Sequence, residues 1–171
     1  TYVTNNKWDA MKPWILSTMP LGALASPVIG MVADRFFNSE KVLAFSNLVC
    51  GLLLFMAGRA TTGVEVFIYL LIAMLFYMPT WSLTASIAMA NSPAEQFPQI
   101  RVFGSIGWVA SMFFSIVALK AFGTSIDGTA IPFYCGSAVA VLGAAVALLC
   151  PATPPKGKGQ PLSVVDALGL R

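Results

Sequence analysis

Charged residues gather in short clusters along this chain, and the stretches between them are apolar and uncharged. Five such stretches stand out, over 13–33, 42–58, 66–94, 102–119 and 128–155, of 21, 17, 29, 18 and 28 residues. All 17 charged residues, ten basic and seven acidic, lie outside them. A helix rises about 1.5 Å per residue, so a hydrocarbon layer about 30 Å thick takes about 20 apolar residues. Even the shortest stretch nearly crosses once its flanks are included. The pattern predicts five membrane helices, near 14–34, 42–58, 66–90, 100–122 and 130–150.

Composition strengthens this reading. Mean hydropathy is +0.79, 57% of residues are hydrophobic and only 10% are charged, against about 25% charged in an ordinary soluble domain. That leaves too little polar surface for a water-soluble fold of 171 residues. The net charge of +3 is spread thinly, and no basic run long enough to hold nucleic acid appears. The chain has no histidine, which removes the commonest general base and metal ligand. Cys50, Cys135 and Cys150 lie in apolar stretches without C-x-x-C spacing, as inert buried thiols do. No metal, cofactor or nucleophile–base pair is expected, and an enzyme is the least favoured class.

The predicted helices carry distinct punctuation. Pro20 and Pro27 lie in the first, with the small residues Gly22, Ala23, Ala25 and Ser26 suited to close helix packing. Pro79 is expected to break the third, and Thr80, Ser82, Thr84 and Ser86 follow it. These hydroxyls have a plain reading as bonds to their own backbone. Gly136 and Gly143 share one face of the fifth. After Cys150, the Pro- and Gly-rich segment 151–161 reads as an extended, solvated linker, and 162–171 could begin a short surface helix. Residues 1–12 are polar without a signal-peptide pattern, and the first residue is not Met, so the chain is expected to begin inside a longer protein. Alternate connections hold Arg35, Lys41, Arg101, Lys156, Lys158 and Arg171 against Lys7, Lys12, Arg59 and Lys120. Six against four weakly assigns the first set to the cytoplasm.

Two segments combine charge with membrane position. The first is Gly30-Met-Val-Ala-Asp34-Arg35-Phe-Phe-Asn-Ser-Glu40-Lys41. Read from spacing alone, it is either an ordinary charged loop or a loop in which Asp34 and Arg35 bond backbone groups or each other. The second is Phe97-Pro-Gln-Ile-Arg101-Val-Phe-Gly-Ser105-Ile-Gly-Trp108, which opens the fourth helix. At 100° per residue, Arg101, Ser105 and Trp108 fall within about 60° of one another, and Trp108 stands about 10 Å along the axis from Arg101. Gly104, Gly107 and Ser111 form the adjacent face. A snorkelling arginine and an interfacial tryptophan would be the plain reading. An ionisable residue facing a cavity within the membrane is the functional one.

These segments resemble a known family. Gly-x-x-Ala-Asp-Arg between two membrane helices is similar to the cytoplasmic loop signature of the major facilitator superfamily, where it follows the second helix. The superfamily pattern continues with a glycine and two basic residues, whereas this chain has Phe37, Asn38 and Ser39 and regains a base at Lys41. Ala-Asp-Arg-Phe-Phe followed by Glu-Lys resembles the form in bacterial nucleoside–proton symporters. Arg-x-Phe-Gly-x-x-Gly-Trp resembles the fifth helix of sugar and nucleoside symporters. Pro79-Thr80 followed by Leu83-Thr84-Ala85-Ser86 resembles the fourth helix of the nucleoside group, which usually has asparagine at the position of Ala85.

The resemblance implies an all-α integral membrane fold whose five helices are helices 2–6 of a twelve-helix transporter. Residues 1–12 would follow a missing first helix as an external loop. Residues 13–150 would form the N-terminal bundle, and 151–171 would begin the central cytoplasmic linker to a missing six-helix half. It implies a substrate site with Arg101, Ser105 and Trp108, and a conformational-gating loop with Gly30, Asp34, Arg35 and Lys41. The implied partners are a nucleoside, a proton and the lipid bilayer of the bacterial inner membrane. No Asp, Glu or His lies within the five stretches, so the proton carrier is expected elsewhere in the protein. An oligosaccharide–proton symporter of the same superfamily is the alternative. It is disfavoured because the fourth helix of lactose-type members carries an acid, and 66–94 holds none. A non-transporting scaffold or receptor-like subunit is the alternative from another class.

Overall fold

The computed structural model describes residues 2–123, 126 and 128–155. Six α-helices lie along them. They are α1 (Tyr2–Asn5), α2 (Lys12–Phe36), α3 (Ser39–Arg59), α4 (Gly63–Asn91), α5 (Phe97–Phe122) and α6 (Ile131–Leu148). Single 3-10 turns precede α2 and α5. Among the described residues there is no strand. Four segments, Ser39–Arg59, Gly63–Asn91, Ala94–Ala121 and Ile131–Leu148, are long and apolar enough to cross a membrane. The exterior suits lipid rather than water, for Leu24, Phe103, Leu142 and Leu149 are all more than half exposed.

Helix packing runs from α2 to α4, from α4 to α3 and from α3 to α6. Consecutive helices are therefore not always neighbours, since α2 and α3 barely touch. Small residues set the close approaches. A Cβ built on Gly22 would lie 2.8 Å from the Met74 backbone, and one on Gly30 would lie 3.7 Å from Ser82 Oγ. The constant offset along both chains means that α2 and α4 run parallel. Gly51 meets the Ser137 carbonyl at 3.1 Å and Gly58 meets Tyr134 at 2.9 Å, again measured from a built Cβ. Gly136 and Gly143 face Leu54 and Asn47 in return, so α3 and α6 run antiparallel. The Tyr134 hydroxyl donates to the Gly58 carbonyl at 3.0 Å.

The two ends of this row are finished differently. At one end, Thr62 caps α4 with a reciprocal pair. Its hydroxyl accepts the Glu65 amide, and the Glu65 carboxylate accepts the Thr62 and Thr61 amides. Residues 2–11 fold over this end. Tyr2 packs edge-on to Phe133 and Trp8, Asn5 donates to the Gly128 carbonyl, and Trp8 and Met11 close on Gly63. At the other end, Leu43, Ala44, Ile87 and Ala147 form a small apolar cluster with Cys150 beside it.

Three expectations change. Pro79 does not break its helix, because α4 runs unbroken from Gly63 to Asn91 with the proline buried inside it. A proline removes one amide donor, and the packed neighbours on both sides of α4 hold the helix through that gap. The loop at Asp34 is shorter than the charges suggested. α2 continues to Phe36 and α3 begins at Ser39, so Asp34 and Arg35 lie in the last turn of α2 and Lys41 in the first turn of α3. Helical turns accept charged residues readily where a helix leaves the membrane. Finally, the segment after Cys150 is not solvated throughout, for Thr153 is buried although Pro151, Ala152 and Pro154 are exposed. The expected linker beyond 155 and its short helix lie outside the described residues.

Candidate functional site

α5 opens with Pro98 in its first turn, where a missing amide costs no helical bond, and closes on Gly123, whose φ of 69° supplies the left-handed turn that ends the helix. Arg101, Ser105 and Trp108 lie on one unbroken helix, at the spacing the sequence implies. All three are exposed, and Trp108 is 65% exposed. Ser105 Oγ lies 3.4 Å from the Arg101 carbonyl, a long bond that leaves the hydroxyl able to turn elsewhere. Ser111 donates a shorter bond of 2.7 Å to the Trp108 carbonyl.

The wall is chemically mixed. A guanidinium offers planar donors, a hydroxyl both donates and accepts, and an indole offers a flat apolar face with one donor. The adjacent face of Gly104 and Gly107 meets nothing, since a Cβ on either would find no atom within 4 Å. α5 touches the rest of the chain only sparsely, along α4 and the turn before it. The small residues expected to admit a neighbouring helix therefore have none here among the described residues.

The second set of residues is separate from this wall. Gly30 faces Ser82 on α4 at ordinary contact distance. Lys41 is exposed in the first turn of α3. The side chains of Asp34 and Arg35 lie outside the described residues. On α4, Thr80 donates to the Tyr77 carbonyl, Ser82 to the Pro79 carbonyl and Thr84 to the Thr80 carbonyl, at 2.6–2.9 Å. Those hydroxyls are satisfied by their own helix.

Sequence reasoning passed over one polar cluster. Glu40, Asn91 and Thr153 come from three distant parts of the chain and meet at the end of the row that holds Leu43 and Ala147. A usable signal was present. In Pro151-Ala-Thr-Pro-Pro155 only Ala152 and Thr153 have amide donors, so a buried carboxylate nearby has few candidates to meet.

The arrangement is that of a polytopic helical membrane bundle, and comparison with solved structures bears on it directly. Two crystal structures of the nucleoside transporter NupG match 98% of this chain with a TM-score of 0.81, at 26% and 27% identity, and the chain covers 42% of each. Among curated relatives, YegT of Escherichia coli strain K12, named as a nucleoside transporter, is 38% identical over 161 residues. Xanthosine permease of the same organism is 28% identical over 164 residues. The alignments cover 92% and 91% of this chain, which spans only 38% of the length of each of these relatives. The family described as nucleoside H+ symporter matches residues 1–171, and the chain belongs to that family. It is a multi-pass membrane protein, and its relatives are transporters and permeases by name rather than enzymes.

Proposed function

We propose that this chain is part of a secondary active transporter that imports nucleosides together with protons, by alternating access, across the bacterial inner membrane. The observation that carries the reading is the exposed wall of α5 in a chain of this family. Arg101, Ser105 and Trp108 stand in line on one helix and are left uncovered by the other described residues. Sites of this kind form between two repeats near the middle of the membrane. Here α2–α6 serve as helices two to six. A first helix and a six-helix second half, in the remainder of the protein, complete the cavity that this wall lines.

Each residue has a role suited to a nucleoside. Arg101 donates to base carbonyl or ribose oxygens, Ser105 bonds a ribose hydroxyl, and the Trp108 indole packs against the base or sugar. The 34–41 turn, with Gly30, Asp34, Arg35 and Lys41, gates the motion between the halves. The proton is carried by a titratable group elsewhere in the protein, because 66–94 and 102–119 hold no acid or histidine.

The test is uptake of labelled uridine by cells expressing the full-length protein. Arg101→Ala is expected to lower uptake by tenfold or more, the scale of a lost charged hydrogen bond of about 1.5–3 kcal/mol, and Trp108→Ala by up to about tenfold, the scale of a lost aromatic contact of about 0.5–1.5 kcal/mol. Uptake unchanged in both variants would remove the site assignment. Absence of nucleoside uptake and of nucleoside-induced thermal stabilisation by the unaltered protein would favour the scaffold alternative.

A further inference from the structure

Thr153 is 3% exposed and Glu40 is 5% exposed, although one follows a transmembrane helix in a proline-rich segment and the other carries a charge. They are bonded to each other. The Thr153 amide donates to Glu40 Oε2 at 2.9 Å, and the Ser39 amide donates back to the Thr153 carbonyl at 3.2 Å. Asn91, the last residue of α4, donates from its side chain both to Thr153 Oγ at 3.0 Å and to the Ile87 carbonyl at 2.9 Å. The Thr153 hydroxyl itself donates to the Pro151 carbonyl at 3.2 Å. Beneath these polar atoms lies the apolar cluster of Leu43, Ala44, Ile87 and Ala147.

The arrangement supplies a helix cap from a distant part of the chain. The first amides of a helix have no partner within it. Asn38 stands at the N-cap of α3 but makes no capping bond with its side chain, and the carbonyl of Thr153 takes that place for Ser39. The carboxylate of Glu40 then secures the amide of the same residue. The flanking prolines favour an extended backbone that can lie across the helix ends.

We propose that Glu40 is a positioning residue for transport. It fastens the segment leaving α6 to the start of α3, with Asn91 adding the end of α4, so that three helices and the following chain move as one body at this end. The inference rests on the transporter reading above. Alternating access is largely rigid-body rocking of one repeat against another, and the chain after α6 is a direct path by which motion reaches this repeat. α5 takes no part in the clasp. Loss of Glu40 therefore slows the transport cycle while nucleoside binding at Arg101 and Trp108 survives.

The experiment uses the full-length transporter in proteoliposomes. Glu40→Ala is expected to lower the maximal uptake rate about tenfold, the scale of one lost charge-assisted bond, with nucleoside Kd changed less than twofold. Thr153→Pro removes the donated amide and, with the hydroxyl, the bond from Asn91 while keeping the carbonyl, so it should give at least that loss, and the double variant should be no slower than Thr153→Pro alone. Glu40→Gln keeps an acceptor oxygen and should recover most of the rate. Hydrogen exchange of the peptide covering 151–155 reads the clasp without substrate, since only Ala152 and Thr153 have exchangeable amides there. Thr153 should be protected in the unaltered protein and released in Glu40→Ala. Normal uptake rates in both Glu40→Ala and Thr153→Pro would overturn the proposal, as would equal loss of binding and rate in all variants, Glu40→Gln included. If Glu40→Ala does not fold, Thr153→Pro and Asn91→Ala decide by the same readouts. Should the unaltered protein transport no nucleoside, the transporter reading fails and the rate proposal falls with it. Exchange at Thr153 would then still report whether the clasp exists.

Discussion

α3 and α5 are both long apolar helices, but the molecule treats them in opposite ways. α3 has neighbours on two sides, α4 and α6, and keeps Cys50, Gly51, Ala57 and Gly58 buried. α5 leaves nearly every described side chain exposed. Both contain paired glycines. On α3 a Cβ at Gly51 or Gly58 would meet another helix at 3.1 Å or 2.9 Å, whereas at Gly104 and Gly107 it would meet nothing within 4 Å. Small residues are thus used up by packing in one place and left open in the other. The helix proposed to meet the nucleoside is the one that the other described residues do not bury.

The hardest test of that contrast is steric. Gly22→Leu would drive a side chain into the Met74 backbone, which is already 2.8 Å from a Cβ and cannot swing aside. A loss of about 1–3 kcal/mol is expected, read as a lower thermal midpoint of the full-length protein in detergent. A midpoint equal to that of the unaltered protein would break the claim that α2 and α4 are in tight contact. A smaller effect is expected from Tyr134→Phe, which removes the bond to the Gly58 carbonyl and nothing else. That change should cost about 0.5–1.5 kcal/mol by the same measurement. The smallest is Gly104→Ala. Alanine favours a helix over glycine by up to about 1 kcal/mol, so the midpoint should stay or rise slightly. A fall would instead reveal another segment of the full protein seated on this face of α5, which sharpens the contrast into a map of what covers it.

Much of the architecture was legible because charge is so costly in hydrocarbon that it marks where helices cannot be. The predicted stretch 100–122 became Phe97–Phe122, and 42–58 became Ser39–Arg59. The errors share a cause. Charge alone places Arg35, Glu40 and Lys41 outside the helices, yet a helix can carry charge in its end turns where it leaves the lipid. Pro79 was expected to interrupt α4 because a proline's cost is local, whereas the packing that offsets it is tertiary. The scarcity of amides in 151–155 marks Thr153 as a donor but does not name its partners, for a related reason. Its partners, Glu40 and Asn91, are 113 and 62 residues away, and no spacing rule joins them. The line of Arg101, Ser105 and Trp108 was legible because a helix of known pitch fixes it without reference to any neighbour.

The order in which the helices touch, α2 to α4 to α3 to α6, has a consequence for what such a chain can enclose. Among the described residues it is a fence rather than a tube. A closed ring of helices bounds a lumen and selects what enters it by its own diameter, but an open row only supplies one side of a passage. In the proposed transporter the shape and width of the route along α5 are therefore properties of a pairing, fixed as much by what stands opposite Trp108 as by Trp108 itself.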